Sequence, residues 1–148
     1  MTDDAVANSL QHVLADTFAL YGKTHGYHWN VVDACFSQLH ALFEEQYNEM
    51  WSSLDEMAER IRVRGVYAPQ GFTTIANLSS IGSGDPASSG QAMIEDLLEG
   101  HQTVIATLRT ALAKAEEGDD PVTVDVLTGR LAAHEKHAWM LKATAGKA

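Results

Sequence analysis

Cysteine is almost missing from this chain of 148 residues, with Cys35 the only example. An internal disulfide is therefore excluded, stability has to come from packing, and a reducing compartment is suited. With no activating motif around it, Cys35 reads as a small buried or half-buried side chain rather than a nucleophile. Basic residues are scarce as well: ten Lys and Arg stand against twenty Asp and Glu, a net charge of −10. The deficit is spread evenly, four basic against ten acidic groups in residues 1–64 and six against ten in residues 65–148. Such a surface repels phosphate backbones and anionic lipid head groups and concentrates cations. No apolar run approaches the ~20 residues that span a bilayer. Nor does Met1-Thr2-Asp3-Asp4 carry the basic and apolar segments of a secretory leader, so a cytoplasmic location is the expectation. Long disorder is excluded too, because 45% of the residues are hydrophobic and only 20% charged.

No stretch alternates like a strand; instead, four long stretches repeat apolar residues at helical spacing. The first runs through Val6, Leu10, Val13, Phe18, Tyr21, His25 and His28. The second holds Phe36, Leu39, Phe43, Tyr47, Met50, Leu54, Met57 and Ile61, with Gly65 placed to stop it. Met93, Leu97, Val104, Leu108, Leu112 and Ala115 mark the third, which ends near Gly118. The fourth holds Val124, Leu127, Leu131, His134, Ala138 and Leu141. Asp33 is the expected N-cap of the second stretch and Asp119 or Asp120 that of the fourth, where Pro121 suits the first turn. Residues 65–90 hold five of the eleven glycines and two of the three prolines, with one short helix expected at Phe72–Leu78. Two helices, a long crossover and two more helices describe an all-α, ferritin-like four-helix bundle occupying residues 1–148 as a single domain.

The chemistry concentrates on the second helix, where His40 and Glu44 are spaced i,i+4 and Asp55 and Glu59 repeat the spacing. At about 100° per residue, Glu44 lies about 40°, Asp55 about 60° and Glu59 about 100° from His40. A solvated face would read the same way, with Asp55 or Glu59 pairing Arg62 or Arg60. Tyr47 and Trp51, however, fall in the middle of that sector, so something is expected to pack on it. His28 continues the apolar stripe of the first helix, either as a satisfied core histidine or as a further ligand beside His40. The centres of the two i,i+4 pairs are about 22 Å apart along the axis. No metal bonded at about 2 Å spans that gap. The chain also lacks Glu-x-x-His, the element from which ferritin-like bundles build a di-iron site inside one subunit. A two-fold axis near residues 49–50 closes the gap. Two antiparallel copies would bring His40 and Glu44 of one chain to Asp55 and Glu59 of the other, twice per dimer. Mixed imidazole and carboxylate ligands suit ferrous iron, and Zn or Mn would also be accepted.

His28-Trp29-Asn30, Leu39-His40-Ala41-Leu42-Phe43-Glu44 and Leu54-Asp55-Glu56-Met57-Ala58-Glu59-Arg60 together resemble the signature of the Dps proteins, the prokaryotic mini-ferritins. Lys136-His137-Ala138-Trp139-Met140 resembles the family's last helix, so the likeness covers nearly the whole chain. It implies a dodecameric hollow shell that oxidises Fe(II), preferably with hydrogen peroxide, stores ferric mineral and protects against oxidative stress. Carried over residue by residue, it implies a ferroxidase di-iron centre of His28, His40 and Glu44 with Asp55 and Glu59 from the two-fold mate. Glu44 stands where the family often has Asp. Trp29 matches a tryptophan beside that centre that donates an electron, the alternative being an aromatic core plug. Asp119, Asp120 and Asp125 lie where relatives place acidic residues around an iron inlet pore, the alternative being a solvated N-terminal cap.

Relatives that bind DNA do so through basic tails. Here the first basic residue is Lys23, and the C-terminus offers only Lys142 and Lys147, so direct DNA binding is not expected. A DNA-compacting shell and a metal-buffering bundle without turnover are the competing functions. His25 with His28, and His134 with His137, are spaced for secondary metal sites but also for packing; His12 and His101 read as ordinary. Because the ligand stripe does not close within one chain, a closed oligomer is expected. Light scattering at micromolar concentration should give many times the mass of one chain; a monomer mass would overturn the expectation.

Overall fold

The structure, a computed structural model, describes residues 4–148, and Met1-Thr2-Asp3, on which the reading of the N-terminus partly rests, lies outside the described residues. The described residues form five helices: α1 (Ala5–Asn30), α2 (Phe36–Val63), α3 (Phe72–Leu78), α4 (Gly90–Glu117) and α5 (Pro121–Thr144). No strand occurs among the described residues. The fold is all-α, as the periodicity predicts.

Local chemistry explains most of the boundaries. Asp4, Ser89 and Asp120 each cap a helix by accepting a backbone N–H three residues on, from Ala7, Ala92 and Thr123. The start of α2 departs from expectation. Its N-cap is Cys35, without a side-chain cap bond. Asp33 instead accepts the Cys35 N–H at 2.8 Å and, through its carbonyl, the Phe36 N–H at 3.1 Å, so it shapes the turn before the helix. Cys35 itself is exposed rather than buried, because it sits in that turn and not on the packed stripe. At the other end of α2 the chain turns left-handed at Gly65 (φ 80°), whose N–H reaches the Arg62 carbonyl while that of Val66 reaches Ile61. Helix α4 ends the same way, one residue later than its glycine suggests: Asp119, not Gly118, takes the left-handed position at φ 51°.

Contacts along the helices set the topology. Asp4 meets Arg64 while His28 meets His40, so α1 and α2 run antiparallel. Lys23 and Tyr27 both bond Asp96, and Asp16 bonds Thr107, which sets α4 antiparallel to α1. Arg109–Glu135 and Arg60–Thr123 place α5 antiparallel to α4 and to α2. The two parallel helices α2 and α4 are therefore joined by a crossover running the length of the bundle, with α3 packed on α1. Between the four long helices lie fully buried Leu10, Leu20, Phe43, Met50, Met57, Leu97, Leu108 and Leu127. Gly100 allows α4 to lie close against Leu20 of α1: a Cβ there would lie 2.6 Å from Leu20 Cδ1.

One buried carboxylate fastens the crossover. Asp16, 1% exposed, accepts hydrogen bonds from the Ser79 hydroxyl, the Ser80 N–H and the Thr107 hydroxyl. His12 adds an Nδ1–H bond to the Leu78 carbonyl. Asp16→Ala would leave those donors without their acceptor and should cost about 3 kcal/mol. The check is a denaturant melt, with an unchanged midpoint counting against this role.

Candidate metal centre

The connection of residues 31–35 is short, so the end of α1 lies against the start of α2. There His28 Nδ1 donates to the His40 carbonyl at 2.7 Å, and His40 Nδ1 donates to the His28 carbonyl at 2.7 Å. The two rings stack with centroids 3.7 Å apart and planes 13° from parallel. Carbonyls only accept, so each Nδ1 carries a proton and Nε2 is the nitrogen left to bind a metal. A main-chain bond that fixes the tautomer in this way is the usual companion of a metal-ligating histidine. His28 is buried against α2 and His40 half-buried.

Glu44 follows one turn beyond His40 and is exposed. Asp55 and Glu59 are exposed further along the same helix, with no ion pair among the described residues. The arginines that a solvated face would use are engaged elsewhere: Arg60 bonds Asp120 and Thr123, while Arg62 bonds the Val66 carbonyl and lies over the Tyr67 ring. Among the described residues, no three His, Cys, Asp or Glu side chains of one chain are grouped to hold a metal. The structure thus brings His28 and His40 together and leaves the second carboxylate pair far along α2.

Large apolar side chains surround this face. Trp29 is 66% and Trp51 55% exposed, and Phe36 and Phe72 are exposed as well. Trp29 is therefore no core plug; it lies against His25, ring centroids 4.5 Å apart. Beside Asp55 a groove of about 560 Å³ opens, walled by Leu14, Phe18, Trp51 and Phe72.

The remaining histidines divide between two places. His25 bonds Tyr21 on the outer face, whereas His101, His134 and His137 lie buried inside the bundle. Arg130 forms a two-pronged ion pair with Glu49 and also donates to His134 Nε2 at 3.0 Å. That leaves His134 Nδ1–H to donate to His101 Nδ1 at 2.9 Å. His137 Nε2 donates to Glu49 at 2.9 Å. The packing reading of His134 and His137 fits this network. The network itself, tying Glu49 to Arg130 and His101, escapes the sequence reading, although Arg130, His134 and His137 at i, i+4 and i+7 are its visible trace. Burial works against the Glu49 charge, yet hydrogen bonds from His137 and Arg130 bring its pKa down to about 2. Burial, with Arg130 and His137 nearby, lowers His134 to about 3, and burial and the neighbouring histidines also hold His101 well below its ordinary value.

At the opposite end of α2, Asp120 is engaged more fully than an inlet carboxylate should be. It caps α5 and pairs with both Arg60 and Arg64 at 2.9 and 2.7 Å. Its pKa falls to about 2, the Thr123 and Arg60 bonds outweighing burial. Asp119 and Asp125 are exposed.

A ferritin-like domain family matches residues 7–148. The chain is 33% identical to DNA protection during starvation protein 2 of Bacillus anthracis, over 93% of this chain and 94% of that one. The chain belongs to the Dps family. It is also 37% identical to an uncharacterized low temperature-induced protein of Nostoc, across 96% of this chain and 82% of its length. Among solved structures, Dps from Bacillus brevis superimposes with a TM-score of 0.90 at 33% identity, covering 94% and 93% of the two chains. Dps from Staphylococcus aureus gives 0.93 at 30% identity, with 97% of both covered. A Dps protein from Vibrio cholerae, described as a ferritin-like diiron-carboxylate protein, matches at 31% identity, with a TM-score of 0.89 over 93% and 87% of the chains.

The buried network makes stability depend on pH. Below about pH 6.5 the unfolded chain binds protons that native His101 and His134 refuse, so both lower stability as the pH falls. Glu49 acts in the same direction, its contribution being lost as pH falls from its ordinary value toward 2. The urea midpoint should therefore drop steadily from pH 7 to acid. A flat profile between about pH 6.5 and pH 5 would contradict the assignment.

Proposed function

We propose that the chain is a subunit of a hollow homo-oligomeric shell, a dodecamer, that oxidises Fe(II) and stores the ferric product as mineral, protecting a cytoplasm from oxidative stress. Iron is the substrate, and hydrogen peroxide is the preferred oxidant. The observation carrying this reading is the reciprocal His28–His40 pairing, which presents two fixed imidazole lone pairs on an outer face whose remaining ligands lie too far along α2 to reach them. Family membership and the diiron-carboxylate description of the Vibrio cholerae relative support the choice of metal.

In this reading His28, His40 and Glu44 of one chain face Asp55 and Glu59 of the two-fold mate. Imidazole nitrogens and carboxylate oxygens form a mixed donor set suited to iron in both oxidation states. Two ferrous ions each give up one electron, and peroxide takes both, with two protons, to leave as two waters. The fixed Nδ1–H bonds keep the histidine rings aimed while the metal charge changes. Glu44, longer than the Asp common in relatives, reaches its ion through one more methylene. Trp29, beside His25, supplies an electron to stray one-electron oxidants. Asp119 and Asp125 draw cations to the inlet by focusing field, while Asp120 holds the end of the bundle that carries them. Direct DNA binding stays outside this function, because a net charge of −10 over these residues repels a phosphate backbone.

The shared site has a decisive test. One variant loses the histidine half (His28→Ala with His40→Ala), another the carboxylate half (Asp55→Ala with Glu59→Ala), and each alone should be nearly inactive. In co-assembled shells random pairing makes about half of the dimers mixed, each with one intact site of two, so about a quarter of the sites should recover. A site within one chain recovers none. No return of fast peroxide-dependent Fe(II) oxidation in verified mixed shells would reject the reading.

A further inference from the structure

The outer face between α1 and α2 holds more redox-active rings than metal ligation uses. His25 is the hub. It stacks on Tyr47 with centroids 3.9 Å apart and planes 13° from parallel, lies 4.5 Å from Trp29, and is hydrogen-bonded through Nδ1 to the Tyr21 hydroxyl at 2.9 Å. Tyr21 in turn lies 5.1 Å from Trp51 and 6.1 Å from Tyr47, and Tyr47 lies 5.2 Å from the His28 ring. Two tryptophans and two tyrosines therefore form one contiguous set of ring contacts reaching the His28–His40 pair. Only one of the four, Tyr21, has a base at its hydroxyl.

That difference decides where an oxidising equivalent stops. A tryptophan that loses an electron becomes a radical cation that readily takes an electron from its neighbour, and a phenol without a base has nowhere to send its proton. A phenol hydrogen-bonded to an imidazole loses its proton in the same event and ends as a neutral radical, the lowest point on the path. Burial raises the Tyr21 pKa, so the group is a phenol and has a proton to give.

We propose that Tyr21 and His25 form a proton-coupled redox pair, the terminal one-electron sink of the aromatic set beside the metal centre. The oxidant rests on the proposed function: a hydroxyl radical, formed when a lone ferrous ion meets peroxide. It takes an electron from the exposed Trp29 indole and leaves as hydroxide. Tyr21 refills Trp29 through the ring contacts of His25 and passes its phenolic proton to His25 Nδ1. A tyrosyl radical, an imidazolium and hydroxide remain, and the last two neutralise to water. A second ferrous ion then returns one electron to Tyr21, the proton comes back from solvent through His25, and the sink is reset. The net result is that a hydroxyl radical and a ferrous ion become hydroxide and a ferric ion, with no side chain destroyed.

The test uses the assembled full-length protein without iron, so that it stands apart from the ferroxidase reading. A photogenerated ruthenium(III) polypyridyl complex is the one-electron oxidant, and the radical is followed by time-resolved absorption and freeze-quench electron paramagnetic resonance. The native protein should give a neutral tyrosyl radical that forms more slowly in deuterium oxide. Tyr21→Phe keeps the ring but should yield tryptophan radical instead. His25→Leu should slow tyrosyl formation about tenfold or more, the scale of a positioned base in proton transfer. Both variants are compared at matched oligomer size and melting temperature. An unchanged tyrosyl signal in Tyr21→Phe, or an unchanged rate in His25→Leu, overturns the proposal. If the radical forms at Tyr21 while mixed shells fail to recover iron oxidation, the ferroxidase reading falls and the redox pair stands.

Discussion

The exchange of hydrogen bonds between His28 and His40, each ring held by the other's main-chain carbonyl, is the constraint on which the outer face depends. It joins the last turn of α1 to the second turn of α2 and so fixes how these two helices meet. The same bonds settle which nitrogen of each ring is basic. A single local arrangement thus does structural and chemical work, and neither ring can leave its tautomer without breaking a contact between helices. Around it the aromatic set of His25, Tyr21, Tyr47, Trp29 and Trp51 takes its position from the same crossing.

The interior of the bundle is occupied in a contrasting way. Where facing helices of related bundles project ligands inward, this chain places Glu49, Arg130 and three histidines. The guanidinium already supplies a positive charge at the centre, and the carboxylate facing it is held in the charged form by two donors. Taking out one partner of such a network strands the others in a low-dielectric interior. Among the described residues His101 Nε2 and Arg130 Nε find no partner, and the lowered pKa values of His101 and His134 are what make the network sensitive to acid.

At the far end, Asp120 takes the capping role expected at the start of α5 and adds ion pairs to α2. The run Glu116-Glu117-Gly118-Asp119-Asp120 looks like a uniform carboxylate cluster. The fold separates it: Asp119 takes the left-handed turn, and Asp120 faces back onto Arg60, Arg64 and the first turn of α5. The end of α2 and the start of α5 are fastened there by one side chain, and Asp4 joins them through Arg64.

Periodicity, caps and glycines were sufficient in the sequence for four long helices, the short one at Phe72–Leu78 and the long crossover, because those features act over three or four residues. The ligand stripe of His40, Glu44, Asp55 and Glu59 was legible for the same reason, since helical spacing alone puts them in one sector. What required the tertiary structure was every relation between helices: the mutual His28–His40 bonds, the Tyr21–His25–Tyr47 contacts, the burial of His101 with Glu49 and Arg130, and the pairing of Asp120 with Arg60 and Arg64. Asp33 and Cys35 were misplaced because a cap is chosen by the path of the incoming turn, which local composition does not encode. Spacing along a chain determines which face a residue occupies. Only packing decides what that face meets, because partners such as Glu49 and Arg130, 81 residues apart, are brought together by burial that no local window contains.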